Sequence, residues 1–205
     1  MQGLYLVTPN WDDTSRLLQL TEQAMRAAPI ALLQYRHKEA GPVLRYEQAS
    51  ALLALCRRHR VPFIVNDFVD LCADLDADGV HLGGTDAEVA HVRARLGKQK
   101  IIGASCYGDM PRALNAQEAG ASYVAFGGFY PSRVKKYAVT TQPAILDHAR
   151  EVIRVPTVVI GGMTPQNAAP LVARGAHMVA AISSVYQAES VAQAVGEFQS
   201  LFTQQ

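Results

Sequence analysis

The sequence has 205 residues, 49% of them hydrophobic, which is enough for one well-filled core and short for two complete domains. Nineteen basic and eighteen acidic residues give a net charge of +1, so no excess positive field is available to hold a nucleic acid. No apolar run approaches the length of a membrane span, which argues against a membrane partner as well. We therefore predict one domain over residues 1–205.

Eight short apolar runs recur along the chain and predict eight strands. They span 4–7, 30–35, 63–65, 79–82, 101–105, 123–126, 157–160 and 178–182. Stretches with helical periodicity lie between them, at 16–27, 46–59, 87–96, 111–119, 166–174 and 188–201. Several of these open with Asp, Thr or Pro, and Gly120 and Gly175 follow predicted helices, as helix ends require.

This alternation implies parallel strands joined by crossover helices. Eight units favour an α/β fold with a closed (β/α)8 TIM barrel, while an open doubly wound sheet has a similar local pattern and stays the competing architecture. A barrel gathers the ends of its strands at one mouth, so polar residues that follow the strands should meet there. The irregular stretch 127–142 is predicted to be an active-site loop.

Two carboxylates stand just after predicted strands. Asp67 follows the third strand, and Asp86 follows the fourth strand and its Gly-rich turn. Hard oxygen ligands of this kind suit Mg²⁺, which takes one or two protein carboxylates and leaves its other positions to water and substrate phosphates. Each aspartate would serve equally as a helix cap, and Asn66 and His81 as ordinary turn and strand-end residues.

Gln34, Arg36 and Lys38 follow the second strand with a period of two, so they share one face if that strand continues. Arg36 offers a planar fork and Lys38 a point charge for phosphate oxygens. The alternative is a strand that has left the core, with both cations simply solvated.

Gly-rich and hydroxyl-bearing segments follow the sixth, seventh and eighth strands, where (β/α)8 barrels commonly bind phosphate. They are SRVKK at 132–136, GGMT at 161–164 and ISS at 182–184. A solvated basic loop is the alternative for the first of them. Ser105 and Cys106 have no histidine or acid nearby in sequence to activate them, so we assign hydrogen bonding to Ser105 and a core position to Cys106.

Several motifs, taken in order, resemble the thiamine-phosphate synthase family over nearly the whole chain. They are QYRHK at 34–38, ND at 66–67, DGVHLG at 78–83 with Asp86, GAS at 103–105, GGMT at 161–164 and IS at 182–183. The resemblance implies a barrel that joins hydroxymethylpyrimidine diphosphate to thiazole phosphate with magnesium, releasing pyrophosphate and giving thiamine phosphate.

The resemblance also implies a role for particular residues. The pyrimidine diphosphate would contact Gln34, Arg36, Lys38, Asn66, Ser105 and Lys135, magnesium would bind Asp67 and Asp86, and the thiazole phosphate would contact Ser132, Gly162, Ile182 and Ser183. In the family's dissociative mechanism, Arg36, Lys38 and Lys135 would stabilise the charge that develops on the departing diphosphate. No protein nucleophile is required.

Some positions depart from the family pattern. Gly84 replaces a usual Gln, Gly128 a Pro or Arg, and Val134 a Thr, which keeps a non-catalytic phosphate-ligand sensor open as an alternative. A thiazole tautomerase-like isomerase on the same barrel is the other alternative, although its catalytic histidine would fall at Tyr107. The absence of a CxxC pair among three cysteines and of a signal peptide predicts a reducing cytoplasm. The sequence leaves open whether the chain forms a homo-oligomer.

Overall fold

Eight parallel strands close into a barrel in the computed structural model. The structure describes residues 1–83, 86–131 and 141–203, except for the side chains of residues 86 and 87. The strands are β1 (Gly3–Val7), β2 (Leu32–Tyr35), β3 (Phe63–Asn66), β4 (Gly79–Leu82), β5 (Ile101–Tyr107), β6 (Tyr123–Gly127), β7 (Thr157–Ile160) and β8 (Met178–Ala181). Each strand pairs with the next in sequence, and β1 pairs with β8. The predicted (β/α)8 barrel is confirmed, and the open sheet is wrong.

Helices follow the strands and cover the outside of the barrel. They are α1 (Thr14–Ala27), α2 (Pro42–His59), α3 (Val69–Asp74), α4 (Asp86–Leu96), α5 (Met110–Glu118), α6 (Ile145–Val152), α7 (Pro165–Ala173), α8 (Ser183–Tyr186) and α9 (Val191–Ser200). Among the residues described, no helix combines the length and the apolar character needed to cross a membrane.

The helix ends follow the capping chemistry of the sequence. The side chains of Asp13, Asp109 and Ser190 accept hydrogen bonds from backbone N–H groups in the first turns of α1, α5 and α9. At the other end of the helices, Gly120 and Gly175 adopt φ of 97° and 101°, the left-handed region that glycine enters without strain. These caps fix where each connection leaves the barrel.

Three features differ from the sequence prediction. Strand β2 ends at Tyr35, its predicted bound, so it does not continue through Arg36 and Lys38, and these two residues share no strand face with Gln34. The predicted helix 188–201 corresponds to α9, which begins only at Val191, and the short helix α8 before it was not predicted. Helices α3 and α6 were not predicted, because six to eight residues give too short a window for the helical period to show.

The core has two layers on either side of the sheet. The larger layer lies between the strands and the helices, and the smaller fills the inside of the barrel. The inner layer consists of Tyr5, Val7, Leu32, Ile64, Tyr123, Ala125, Val158, Met178 and Ala180. Because this plug fills the barrel, ligands have access only to the space above it, at the ends of the strands.

Candidate active site

Two adjoining pockets open at the carboxyl ends of the strands. One is lined by polar and charged side chains from β1 to β5, and we call it the charged pocket. The other, which we call the glycine pocket, is formed by the segments that follow β6, β7 and β8. Their common wall is Ser105, Tyr107, Ala125, Ile160, Ala180 and Ile182. The mouth can therefore hold two molecules in contact across this wall.

The charged pocket collects the polar residues that follow β2 and β3. Gln34, Arg36 and Asn66 are nearly buried, with 4%, 8% and 7% of their surfaces exposed. The backbone N–H of Arg36 donates to Oγ1 of Thr8 at 2.8 Å, which ties the ends of β1 and β2 together. Lys38 reaches across to the end of β3, where Nζ lies 3.3 Å from Oδ2 of Asp67. Two cationic side chains thus line one small pocket.

Asp67 has the backbone of a turn residue with φ of 64°, in the left-handed region. Its N–H donates to the carbonyl of His81 at 2.9 Å, and Nδ2 of Asn66 donates to its Oδ2 at 2.8 Å. The helix-cap alternative is wrong for Asp67, because Phe68 occupies the cap position of α3 without a side-chain cap bond. Its carboxylate instead remains 38% exposed at the mouth.

The donor set suits a hard divalent cation. Asp67 supplies carboxylate oxygens, and α4 begins at Asp86 after the neighbouring strand β4, although the side chain of Asp86 lies outside the description. Within the described residues, no three His, Cys, Asp or Glu side chains form a metal-binding group by themselves. One or two aspartates plus phosphate oxygens fit Mg²⁺ better than a metal held by protein alone.

The glycine pocket depends on backbone that approaches closely after β7. Gly161 and Gly162 have φ of 113° and 60°, and a Cβ on Gly162 would lie 2.3 Å from the carbonyl oxygen of Pro131. Nδ2 of Asn167 donates to the Gly162 carbonyl at 2.9 Å, and the same side chain completes a capping box with Thr164. Glycine is therefore required here on both conformational and steric grounds.

Ile182 and Ser183 line the glycine pocket at the end of β8, next to these glycines. Ser184 follows them, and its buried Oγ has no hydrogen-bond partner among the residues that the structure describes. Hydroxyl groups beside closely approaching glycine backbone are suited to phosphate oxygens. The structure therefore brings Gly162, Ile182 and Ser183 together, as predicted.

A chain of hydrogen bonds, which we call the relay, crosses the inside of the barrel below the charged pocket. Nε2 of Gln34 donates to the Tyr5 hydroxyl at 2.6 Å, which lies 2.6 Å from the Tyr123 hydroxyl. The Tyr123 hydroxyl lies 2.9 Å from Nδ1 of His81, whose Nε2 lies 2.9 Å from Oγ of Ser105. Burial raises the pKa of both tyrosines well above the usual value, so both phenols are neutral.

Sequence reasoning missed Tyr5 and Tyr123 as parts of the site. Both come from apolar strands, where an aromatic side chain is more often simple packing, and only the barrel register turns them inward beside Gln34 and His81. A tyrosine with a polar tip inside a small barrel is the signal that sequence offered. Cys106 is fully buried, as predicted.

Tyr107 ends β5 beside an irregularity in the pairing with β6, and its φ of 53° is unusual for an aromatic residue. The side chain is 45% exposed and lies in the wall between the two pockets. Two predicted site residues, Ser132 and Lys135, lie outside the described residues, as do Gly84 and Val134.

This fold and this mouth define a (β/α)8-barrel enzyme for small phosphorylated molecules. A family model described as thiamine monophosphate synthase matches residues 4–185. The chain is 60% identical to the thiamine-phosphate synthase of Janthinobacterium sp. (strain Marseille) over 98% of its length and 97% of that protein. It is 45% identical to the thiamine-phosphate synthase of Xylella fastidiosa (strain 9a5c), covering 98% of this chain and 85% of that protein.

Among solved structures, thiamine phosphate pyrophosphorylase from Pyrococcus furiosus superposes with a TM-score of 0.85 at 30% identity, covering 99% of this chain and 96% of that one. The chain belongs to the thiamine monophosphate synthase family. It is a transferase of thiamine biosynthesis, as the sequence motifs predicted, and the comparisons support this function over the tautomerase and sensor alternatives.

Proposed function

We propose that the mouth of this barrel couples 4-amino-2-methyl-5-hydroxymethylpyrimidine diphosphate with 4-methyl-5-(2-phosphoethyl)thiazole, giving thiamine phosphate and pyrophosphate. The observation that supports this most directly is the pair of adjoining pockets with a shared wall. A reaction that joins two phosphorylated molecules needs two anion subsites and a place where the reacting atoms meet. The whole chain, residues 1–205, is proposed to act as one domain.

The charged pocket is the proposed subsite for the pyrimidine diphosphate. Arg36 and Lys38 line it, and Lys135 joins them in the proposal on the strength of the family resemblance. Cations fixed beside the diphosphate stabilise the negative charge that this group gains as it leaves, and that stabilisation lowers the barrier. Gln34, Asn66 and Ser105 are the proposed contacts to the remainder of this substrate.

Asp67 and Asp86 are the proposed magnesium ligands. Magnesium bound there would neutralise diphosphate charge and so make it a better leaving group. Asn66 holds Oδ2 of Asp67 by its hydrogen bond, which fixes the orientation of the carboxylate.

The glycine pocket is the proposed subsite for the thiazole phosphate. Gly162, Ile182 and Ser183 surround it, and Ser132 is added from the family resemblance. This phosphate does not react, so its binding serves to position the thiazole ring at the shared wall.

The proposed reaction proceeds by dissociation. The bond between the pyrimidine methylene carbon and the diphosphate oxygen breaks, and the electron pair leaves with the diphosphate. The lone pair of the thiazole nitrogen then forms the new C–N bond to the pyrimidinylmethyl cation. Apolar side chains in the shared wall, among them Ala125 and Ile160, limit competition from water. We further propose a cytoplasmic location, consistent with three buried cysteines that form no disulfide.

The test is a coupling assay with both substrates, following thiamine phosphate after its oxidation to a fluorescent thiochrome. We expect product that requires magnesium and falls at least about a hundredfold when Arg36 is replaced by Ala, because one transition-state cation is lost. Folded protein that binds pyrophosphate yet forms no product would instead favour the sensor alternative. Isomerisation of a thiazole carboxylate phosphate without coupling would favour the tautomerase.

A further inference from the structure

We propose that the relay decides which polar atoms the charged pocket presents to its ligand, an acceptor oxygen at Gln34 and a hydroxyl donor at Ser105. Tyr5, Tyr123 and His81 are then positioning residues, since they act through Gln34 and Ser105 and not on the ligand directly. The identity of the ligand as an aminopyrimidine rests on the proposed function, whereas the direction of the relay does not.

The direction follows from counting protons along the relay. Nε2 of Gln34 donates to the Tyr5 oxygen, and a phenol has a single proton, which Tyr5 then donates to Tyr123. Tyr123 in turn donates to Nδ1 of His81, so the imidazole proton sits on Nε2 and is donated to Oγ of Ser105. The Ser105 proton is the one left to point at a ligand. At the other end of the relay, Oε1 of Gln34 accepts no hydrogen bond from the described residues and is also left for a ligand.

The relay reverses as a unit or not at all. If the amide of Gln34 turned to accept from Tyr5, every later bond would have to reverse, and Ser105 would present only lone pairs. Each phenol keeps its proton because burial raises its pKa, so neither tyrosine can accept from both neighbours without losing a donor bond. The two ends of the relay are therefore coupled, although three side chains separate them.

Tight packing holds the middle of the relay in place. The Tyr5 and Tyr123 rings meet edge to face, with centroids 5.6 Å apart at 88°, and the His81 ring stacks on Tyr123 at 5.6 Å and 18°. A Cβ at Gly103 would lie 2.0 Å from Cζ of Tyr123, so glycine at this position provides the room for the phenol. The hydroxyl groups are consequently fixed by packing as well as by hydrogen bonds.

An acceptor and a donor in one pocket match a 4-aminopyrimidine. Its exocyclic amino group donates, and its ring nitrogens accept. A 4-oxopyrimidine of the same shape places a carbonyl where the amino group was and a protonated ring nitrogen beside it, which reverses this pattern. A site built to pair with polar groups rejects the mismatched analogue strongly, because its buried groups are left unpaired. The relay thus determines specificity for the amino form.

The first test reads the relay directly, without turnover. Long-range ¹H–¹⁵N spectra of the uniformly labelled protein at pH about 8.5, well above the ordinary histidine pKa of about 6.5, report the histidine tautomers. The His81 signals are assigned by their loss in His81→Gln. We expect the Nε2–H tautomer in the unaltered protein and a mixture of tautomers in both Tyr5→Phe and Tyr123→Phe, because each change disconnects His81 from the Gln34 amide that sets the direction. An Nδ1–H tautomer in the unaltered protein would overturn the proposal.

The second test uses the coupling reaction. In Tyr5→Phe the Gln34 amide loses its fixed partner, so we expect KM for the pyrimidine diphosphate to rise about tenfold, with KM for the thiazole phosphate unchanged within about twofold. Preference over the 4-oxopyrimidine analogue should fall as well. The matched control is Tyr35→Phe, which loses a buried phenol bond of 3.0 Å to Gln48 on the outer side of the barrel.

The proposal is overturned if the KM values for the two substrates rise equally in Tyr5→Phe and the same rise is found in Tyr35→Phe. The relay would then have only a structural role. If the unaltered protein forms no product at all, the proposed function fails. The tautomer measurement still decides the direction of the relay in that case, so the two failures are distinguishable.

Discussion

Nζ of Lys38 lies 3.3 Å from Oδ2 of Asp67, so the proposed cation for the diphosphate and a proposed magnesium ligand are in direct contact. Both side chains are substantially exposed, at 50% and 38%, and an ion pair of this kind contributes only about 0–1 kcal/mol. The pair is therefore weak enough for both groups to interact with a charged ligand instead. The proposed anion subsite and the proposed metal subsite therefore share one polar cluster.

Replacing Asp67 with Asn should remove magnesium-dependent binding of pyrophosphate. Asn tolerates the left-handed backbone at φ of 64°, so the change tests the charge and leaves the turn intact. We expect the Kd for pyrophosphate with magnesium to rise at least about tenfold, or ~1.4 kcal/mol, because a hard anionic ligand is lost. Titration calorimetry with and without magnesium measures the difference.

Asp76→Asn is the matched control for this change. Asp76 also has a positive φ, of 50°, but it pairs with Lys100 and is absent from the lining of both pockets. Its substitution should leave the Kd for pyrophosphate unchanged. An unchanged Kd in Asp67→Asn would remove Asp67 from the metal site.

Replacing Gly162 with Ala should weaken binding of the thiazole phosphate. The new Cβ would lie 2.3 Å from the Pro131 carbonyl oxygen, at φ of 60°, so the backbone around the glycine pocket must shift. We expect at least about a tenfold higher Kd for the thiazole phosphate by calorimetry, with pyrophosphate binding retained in the charged pocket. Loss of both ligands together would indicate general disruption of the mouth.

Gly196→Ala is the contrasting substitution. Gly196 lies within α9, and a Cβ there would meet no atom of the described residues within 4 Å. Alanine in a helix interior is favoured over glycine by roughly 0.5–1 kcal/mol, so the thermal midpoint should rise by about 1–4 °C. Calorimetric unfolding of both variants separates the conformational effect from the steric one.

Much of the fold was predictable because strand and helix periods are local signals. Strands β4 and β7 match their predicted bounds, and the glycines at 120 and 175 mark helix ends as expected. Whether β2 continues through Arg36 and Lys38, and the short helix α8 that follows β8, were not predictable. Both depend on how the chain turns over the mouth of the barrel, which is a tertiary effect that overrides local pattern.

The site was predictable where its members are polar residues at the ends of strands. Residues such as Arg36, Lys38 and Asp67 are polar where the pattern calls for the end of a strand, so each is visible in sequence. Tyr5 and Tyr123 lie in strands that look apolar in sequence. Their hydroxyl groups meet only because the barrel closes, since the two residues are 118 positions apart in sequence. The sequence shows the two polar tips but not that they meet.

The three thiols should be unreactive in the native protein at pH 8. Burial raises the pKa of Cys72 to about 11 and raises that of Cys56 as well, so the neutral thiol predominates until the pH exceeds those values. Cys106, next to Ser105, is fully buried. A colorimetric disulfide reagent should react with all three only in denaturant. Rapid labelling of Cys106 in the folded protein would reopen its assignment as a core residue.

Arg93 should stabilise the end of the barrel opposite the mouth without affecting turnover. Its guanidinium donates to the carbonyl oxygens of Gly97, Lys100 and Gly120 at 2.7–3.0 Å, and to Oγ of Ser122. Burial lowers its pKa, but the arginine remains charged at neutral pH. This one side chain therefore joins the end of α4 to the segments that lead into β5 and β6.

Replacing Arg93 with Met keeps the aliphatic stem and removes these hydrogen bonds. Carbonyl groups left without partners cost about 2–3 kcal/mol in total, so we expect the thermal midpoint to fall by roughly 5–10 °C. Below the transition, kcat and both KM values should stay within about twofold, because this end of a (β/α)8 barrel serves stability and the proposed reaction site is at the mouth. Calorimetry and the coupling assay provide the two measurements.

Arg95→Met in the same helix is the matched control. Arg95 pairs with Asp70 at 2.5 Å on the surface, with 46% and 81% of the two side chains exposed, and such a pair contributes at most about 1 kcal/mol. Its midpoint should therefore change little. Similar losses of stability in the two variants would contradict the assignment, and so would a loss of turnover in Arg93→Met without a loss of stability. In either case the hydrogen bonds of Arg93 would not be what stabilises this end of the barrel.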